Sequence, residues 1–247
     1  MFEATIDEID ILRDSIATIA DIIDETEIRI KEKGIEMVAA DRAVVTVVDF
    51  MLSRSVFKEY KFEKEEKIGI NLVSLFQILK RAKSDDKLSM KLEANKFHVT
   101  LQNGSRRVFS LPLIDVSKEE PPPLDALQFP AQMRMNSEIL NSGIEDAELV
   151  SDSIIFTANK SNFLMRAESD NSSSLLELPS GQGMKILEMG EPVRARYSLD
   201  YLKKIIKARK LADEVNISMG TDYPMKIQFE VPGKLNLGFI VAPRVDE

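Results

Sequence analysis

NLVSLFQILKRAK, Asn71 to Lys83, and SLDYLKKIIKARK, Ser198 to Lys210, are one pattern written twice. Laid over each other without a gap, they pair Leu72 with Leu199, Leu75 with Leu202, Ile78 with Ile205 and Lys80 with Lys207, and Asp86 and Asp213 follow in the same register. Apolar residues at three- and four-residue steps with lysines between them predict an amphipathic helix in each copy. A repeat of this kind sets the architecture before any single element does.

The repeat extends outward. Met37, Ala39, Val48 and Phe50 lie over Met165, Ala167, Leu176 and Leu178, and Leu12 and Ile16 lie over Leu140 and Ile144. Turn signals recur as Asn103-Gly104 and Pro232-Gly233. Two homologous domains of about 115 to 120 residues follow, an ordinary domain size. They are expected at 1–116 and 129–247, joined by a connector at 117–128. That connector reads SKEEPPPLDALQ; three consecutive prolines exclude a helix or a central strand and predict an extended, polyproline-like segment on a surface.

Ile9, Leu12, Ile16, Ile19 and Ile23 predict a helix near the start of the first copy, and Ile139, Leu140, Gly143, Ile144 and Ala147 predict its counterpart. Period-two alternation takes over in Phe97, Val99 and Leu101, and again in Met225, Ile227, Phe229 and Val231. Two helices and many antiparallel strands per domain, with no βαβ rhythm, give an α+β class in which the helices lie on one face of antiparallel sheet.

Composition narrows the function. The 247 residues are 44% hydrophobic and 30% charged, as in a globular protein. There is no cysteine and only one histidine, His98, which removes thiolate chemistry, disulfides and histidine-rich metal sites. No apolar run approaches a membrane span and the acidic start, Met1 to Glu8, does not read as a signal peptide, so an intracellular, cytoplasmic protein is expected. The net charge of −8 argues against a protein that is basic all over, though not against basic charge held locally.

Catalytic groups are scarce. Asp7, Asp10 and Asp14 could in principle serve a magnesium-dependent phosphohydrolase, but on a helical wheel Asp10, Asp14 and Asp21 fall opposite the Ile9, Leu12, Ile16 stripe and read as a solvated face. His98 points away from Phe97 and Val99, toward solvent. Gly181 and Gly183 in SGQG lack the context of a phosphate loop and read as a turn. No catalytic residue and no cofactor are expected.

Basic charge is better organised. With Leu202 at zero on a helical wheel, Lys203, Lys204, Lys207 and Lys210 project between about 80° and 200°, opposite the apolar arc of Leu199, Leu202, Ile205 and Ile206. The first copy places Lys80 and Arg81 on the matching face. Two equivalent basic helices in an acidic chain suggest a local phosphate-facing surface. A further clue comes from the expected strand Val44 to Phe50, VVTVVDF, whose second-copy partner SSSLLEL puts Ser173 opposite Val45. A core that accepts serine there does not require Val45, which is therefore expected to line an exposed apolar groove.

Six stretches carry a family resemblance along the whole chain, in order: GIEMVAADRAVVTVVDF, INLVSLFQILKRAKSDDKL, RVFSLPLID, YSLDYLKKIIKA, MGTDYPMKIQFE and VAPRVDE. The sequence resembles PCNA, the sliding clamp of DNA replication, in its archaeal form. The resemblance implies a trimeric ring of six similar domains, homotrimeric or heterotrimeric, with twelve helices lining a central hole and sheets outside. Helices spaced about 8 to 10 Å apart close a circle of roughly 15 to 19 Å radius, leaving an opening of about 10 to 14 Å once the helices' own thickness is removed. Duplex DNA of roughly 10 Å radius would pass with little more than a layer of water around it.

By the same resemblance the DNA-facing positions are Arg13, Lys80, Arg81, Lys203, Lys204, Lys207 and Lys210. Asp14 and Ala20 stand where relatives often carry lysine, and the third helix has Asn141 and Glu145, so the positive field is expected to rest mainly on two helices per subunit. The partner groove corresponds to Ala40, Val44, Val45 and Val47, then Pro123, Leu124 and Ala126 of the connector, then Ala242, Pro243 and Arg244 of the tail. Trimer contacts correspond to Arg107, Phe109, Leu111 and Leu113 on one edge strand and Ser173, Leu175, Leu176 and Leu178 on another. The implied function is a non-enzymatic processivity factor at the nucleoid. Its implied partners are double-stranded DNA, DNA polymerase, the clamp loader replication factor C, flap endonuclease and DNA ligase, the proteins binding through PIP-box motifs of a glutamine, an aliphatic residue and two aromatics. A subunit of a heterotrimeric or checkpoint-type clamp is the nearest alternative.

Overall fold

The computed structural model describes residues 1–83, 85–116 and 124–244, with the side chain of Asp125 also outside the description. Pro123, expected in the partner groove, lies outside the described residues. Among those described, no helix is long and apolar enough to cross a membrane.

The chain divides into two compact units, each of which takes in short segments from the other half of the sequence. The first comprises Met1–Arg42, Val48–Pro121 and Val231–Leu237; the second comprises Ala43–Val47, Pro122–Glu230 and Gly238–Glu247.

In the first half of the chain the elements are β1 (Phe2–Ile6), α1 (Ile9–Ala20), β2 (Glu25–Lys31), β3 (Gly34–Ala40), β4 (Thr46–Ser53), β5 (Glu59–Phe62) and β6 (Glu66–Asn71). Then come α2 (Leu72–Leu79), β7 (Lys87–Glu93), β8 (Lys96–Asn103) and β9 (Ser105–Pro112). Five strands form an antiparallel sheet in the order β5–β1–β7–β8–β9, and β3, β2 and β6 are neighbours in another. The alternation expected for β8 is present: Phe97, Val99 and Leu101 are buried. Gly104, at φ 60°, makes the tight turn from β8 to β9.

α1 buries Ile9, Leu12, Ile16 and Ile19 while Asp10 stays exposed. α2 starts where Asn71 accepts the Ser74 amide at 2.7 Å, a side-chain cap worth about 1 kcal/mol, and buries Leu72, Leu75, Ile78 and Leu79. α1 and α2 lie side by side.

In the second half the elements are β10 (Ala131–Asn136), α3 (Ser137–Glu148), β11 (Ser153–Ala158), β12 (Asn162–Glu168), β13 (Ser173–Pro179), β14 (Met184–Met189) and β15 (Val193–Ser198). α4 (Leu199–Ile205), a 3₁₀ turn (Ile206–Lys210), β16 (Glu214–Met219), β17 (Met225–Val231) and β18 (Leu235–Val241) complete the chain. One sheet runs β13–β12–β11–β15, and β14, β10, β16 and β17 are successive neighbours in another. α3 is capped by Asn136, which accepts the Glu138 amide at 2.8 Å, and it packs beside α4 and against β12 and β13. Gly143 permits that approach, because a Cβ there would sit 2.4 Å from the end of the Met165 side chain. The SGQG stretch is a turn between β13 and β14, with both glycines at positive φ.

Two local readings need correction. The strand expected from Val44 begins at Thr46, because Val44 adopts φ 55° in the preceding turn, a conformation that ends any extended run. The last amphipathic helix is α-helical only to Ile205 and continues as 3₁₀. Its tighter winding eclipses residues three apart, so Lys207 and Lys210 stand in one row rather than spreading around a wheel.

Candidate functional site

Each unit carries its own helix pair, and each pair its own basic residues. In the first, Lys80 and Arg81 follow α2 and are exposed. The Lys80 ammonium lies 5.9 Å from the centre of the Phe76 ring, a contact that keeps the charge at the surface while its stem packs. Arg13 on α1 is a weaker source of field: it is paired with Asp10 at 2.8 Å and with Asp14 at 3.0 Å.

In the second unit Lys204 sits 5.6 Å from the Tyr201 ring centre, and Lys207 and Lys210 are exposed. Lys203 is ion-paired with Glu148 on the neighbouring α3. Arg209, which helical spacing did not single out, is paired with Glu138 of the same helix at 3.1 Å. Acids on α3 thus offset bases on α4. Such exposed pairs contribute only about 0–1 kcal/mol each, so a phosphate can replace the carboxylate at little cost. Asn141 is buried and Glu145 exposed on α3.

Several expected groove residues meet within the second unit. The Ala242 amide donates to the Val45 carbonyl at 2.8 Å, and the Arg244 amide donates to the Arg196 carbonyl at 2.7 Å. The Arg244 guanidinium also pairs with Asp152 at 2.8 Å. The tail is thereby held as an extended segment beside the turn that carries Val44 and Val45. Val44 is 58% exposed, Val45, Ala242 and Pro243 are half-buried, and Val47 is buried. Val47 therefore faces the core and not the expected groove. Leu124 to Ala126 form one 3₁₀ turn, with Leu124 half-buried and Ala126 exposed. Ala40 ends β3 in the first unit and is half-buried.

Among the described residues β9 is the last strand of its sheet and β13 the last of its own. Phe109 and Leu111 of β9 are half-buried beside Arg107, while Val108, on the opposite face, is 47% exposed. Leu113, just past the strand, is half-buried. In β13, Leu178 is buried, Leu176 half-buried and Ser173 exposed, and Leu175 stands 63% exposed. Open edges with exposed aliphatic residues are surfaces that proteins ordinarily cover.

The acidic reading of α1 finds no support in the geometry. Asp7 pairs with Lys58 at 3.0 Å, Asp10 and Asp14 are engaged by Arg13, and among the described residues no group of three His, Cys, Asp or Glu is arranged to hold a metal ion. His98 shares a hydrogen bond with Ser110 at 2.8 Å on the outer face of β8 and β9.

Comparison with known proteins identifies the family. The family model for the N-terminal domain of proliferating cell nuclear antigen matches residues 1–119, and that for the C-terminal domain matches residues 124–244. A DNA polymerase sliding clamp of Thermococcus gammatolerans is 37% identical over 248 positions, covering 100% of this chain and 99% of that protein. One from Pyrococcus furiosus is 36% identical over 234 positions, 94% of each chain. Among solved structures, PCNA of Thermococcus kodakaraensis superimposes with a TM-score of 0.90 at 30% identity, covering 99% of this chain and 100% of that one. A chain of the PCNA2–PCNA3 complex from Sulfolobus tokodaii gives 0.88, also at 30% identity, over 98% and 99%. With both domain models matched in tandem and relatives alike from end to end, the chain belongs to the proliferating cell nuclear antigen family.

Proposed function

We propose that this chain is the subunit of a homotrimeric sliding clamp that encircles duplex DNA and acts without catalysis of its own. It holds DNA polymerase on its template and recruits loader, flap endonuclease and ligase at the nucleoid. The observation that carries the reading is the pair of open edges, one in each unit, whose residues complement each other. Set antiparallel with Val108 opposite Leu175, the β9 edge of one copy meets the β13 edge of the next with Arg106 opposite Glu177 and Ser110 opposite Ser173. Opposite charges and aliphatic pairs in directly facing positions each stabilise a sheet by about 0.2–1 kcal/mol. A head-to-tail contact between unlike edges generates a ring when its rotation closes.

The basic rows following α2 and on α4 then face the hole and contact phosphates without reading sequence. The net charge of −8 per chain is compatible with this, because phosphate contact depends on the local cluster of Lys80, Arg81, Lys204, Lys207 and Lys210 and not on the sum over the chain. The turn at Val44 and Val45 with the pinned tail receives the PIP-box motif, whose flanks add to the tail as strand. Boundaries at 116 and 129 divide the two clamp domains.

The test is primer extension on a singly primed circular template with the cognate polymerase and loader. Product length should rise when this protein is added and fall back when the loader is left out; extension indifferent to the protein would refute the proposal.

A further inference from the structure

Arg107 occupies an unusual place for a charge. On β9 it shares a face with Phe109 and Leu111 and stands opposite Leu101, the side of the sheet on which α2 lies. Its guanidinium reaches across to the turn that follows α2. One nitrogen donates to the Arg81 carbonyl at 3.2 Å and the other to the Asp86 carboxylate at 2.5 Å. Asp86 is 4% exposed and also accepts the Lys83 amide at 2.8 Å, while its own amide donates back to the Lys83 carbonyl at 3.1 Å.

This turn starts at the end of α2, where the Arg81 amide donates to Ile78 at 2.9 Å and the Ala82 amide to Leu79 at 3.0 Å. A cation bonded to a carbonyl there is favoured by the helix dipole. Removing it would leave Asp86 buried without its countercharge, which is strongly unfavourable. Arg107 therefore fixes the backbone from which Lys80 and Arg81 project.

We propose that Arg107 is a positioning residue that couples pairing of the β9 edge to the placement of Lys80 and Arg81. The inference rests on the ring reading above. Among the described residues of a single chain β8 is the only strand that pairs with β9, so the outer edge of its backbone is open to local fraying. Pairing with the β13 edge of a neighbouring copy steadies Arg107, and through it the turn after α2. By linkage, phosphate contact at Lys80 and Arg81 favours ring closure by the same factor that closure favours the contact.

Amide hydrogen exchange of Ala82, Lys83 and Asp86, measured at protein concentrations below and above the assembly midpoint, tests the coupling. Exchange at these amides should slow about fivefold or more on assembly. Asp86→Asn should assemble yet lose that dependence. Arg107→Lys, which keeps the charge but not the two-armed reach, should do the same. Assembly with exchange unchanged in the parent chain, or with the dependence intact in both variants, overturns the coupling alone. Failure to assemble at any concentration overturns the ring reading and the coupling with it.

Discussion

Leu175→Ala isolates the energetics of ring closure. Leu175 is 63% exposed on the β13 edge, so its truncation should change the stability of a single chain by no more than about 0.5 kcal/mol. In the proposed ring the same side chain would be covered. Full burial of a leucine stabilises by about 1.5–3 kcal/mol, and the portion exposed here corresponds to about 1–2 kcal/mol per interface. Three interfaces lose about 3–6 kcal/mol together, and at about 1.4 kcal/mol per factor of ten the association constant falls roughly 10²- to 10⁴-fold. The midpoint of a monomer–trimer equilibrium varies as the square root of that constant, so it should rise about 10- to 100-fold. Sedimentation or light scattering across a dilution series reads the midpoint, and thermal unfolding of the dilute chain serves as the control. A midpoint displaced less than twofold with unfolding unchanged would mean that β13 is not an assembly surface.

Other changes probe the remaining surfaces. Replacing Lys203, Lys204 and Lys207 by alanine should weaken DNA binding and flatten its dependence on salt, since each lost phosphate contact removes about 0.9 from the log–log slope; an unchanged slope places those lysines away from DNA. Val45→Glu should abolish titratable binding of a PIP-box peptide while leaving the trimer intact, because it sets a charge into an apolar site; loss of the trimer instead would relocate this turn to the interface. Val44→Gly should raise unfolding stability by about 1 kcal/mol or less by relieving a β-branched residue at positive φ, and a loss of stability would show that the valine side chain contributes packing. The Lys83 amide, and then Arg107, hold the Asp86 carboxylate below its usual range. Its contribution is thus complete above the ordinary value near ~3.9 and lost as pH falls through the lowered one. Asp86→Asn should flatten the acid limb of the stability profile, and an identical limb in the variant would remove that role.

The repeat of Asn71–Lys83 in Ser198–Lys210 was enough to place α2 and α4 and to make the domains homologous, because burial of one helical face imposes a spacing visible in any single chain. Strand alternation in β8 and β17 was legible for the same reason. What could not be read is where regular winding stops. Nothing in KKIIKARK marks the change to 3₁₀ after Ile205, and nothing in RAVVTVV marks a positive φ at Val44, since valine is among the residues least expected there. Pairings between distant residues were equally silent. The links of Glu138 to Arg209, Glu148 to Lys203 and Arg107 to Asp86 depend on neighbours brought together by folding. One trace did exist: Asp86 and Asp213 keep register across the repeat, and a recurrent acid after a basic helix hints at a turn that needs one. That β9 and β13 end their sheets follows only from the order of strands.

The central claim is topological and is tested most directly by retention on DNA. Protein loaded onto a closed circular plasmid is separated from unbound chains in high salt, the plasmid is cut once, and the bound fraction is followed. A clamp stays on the circle and leaves within minutes of the cut by sliding from the ends. Equal retention before and after cutting would mean that the protein grips the surface of DNA and does not enclose it.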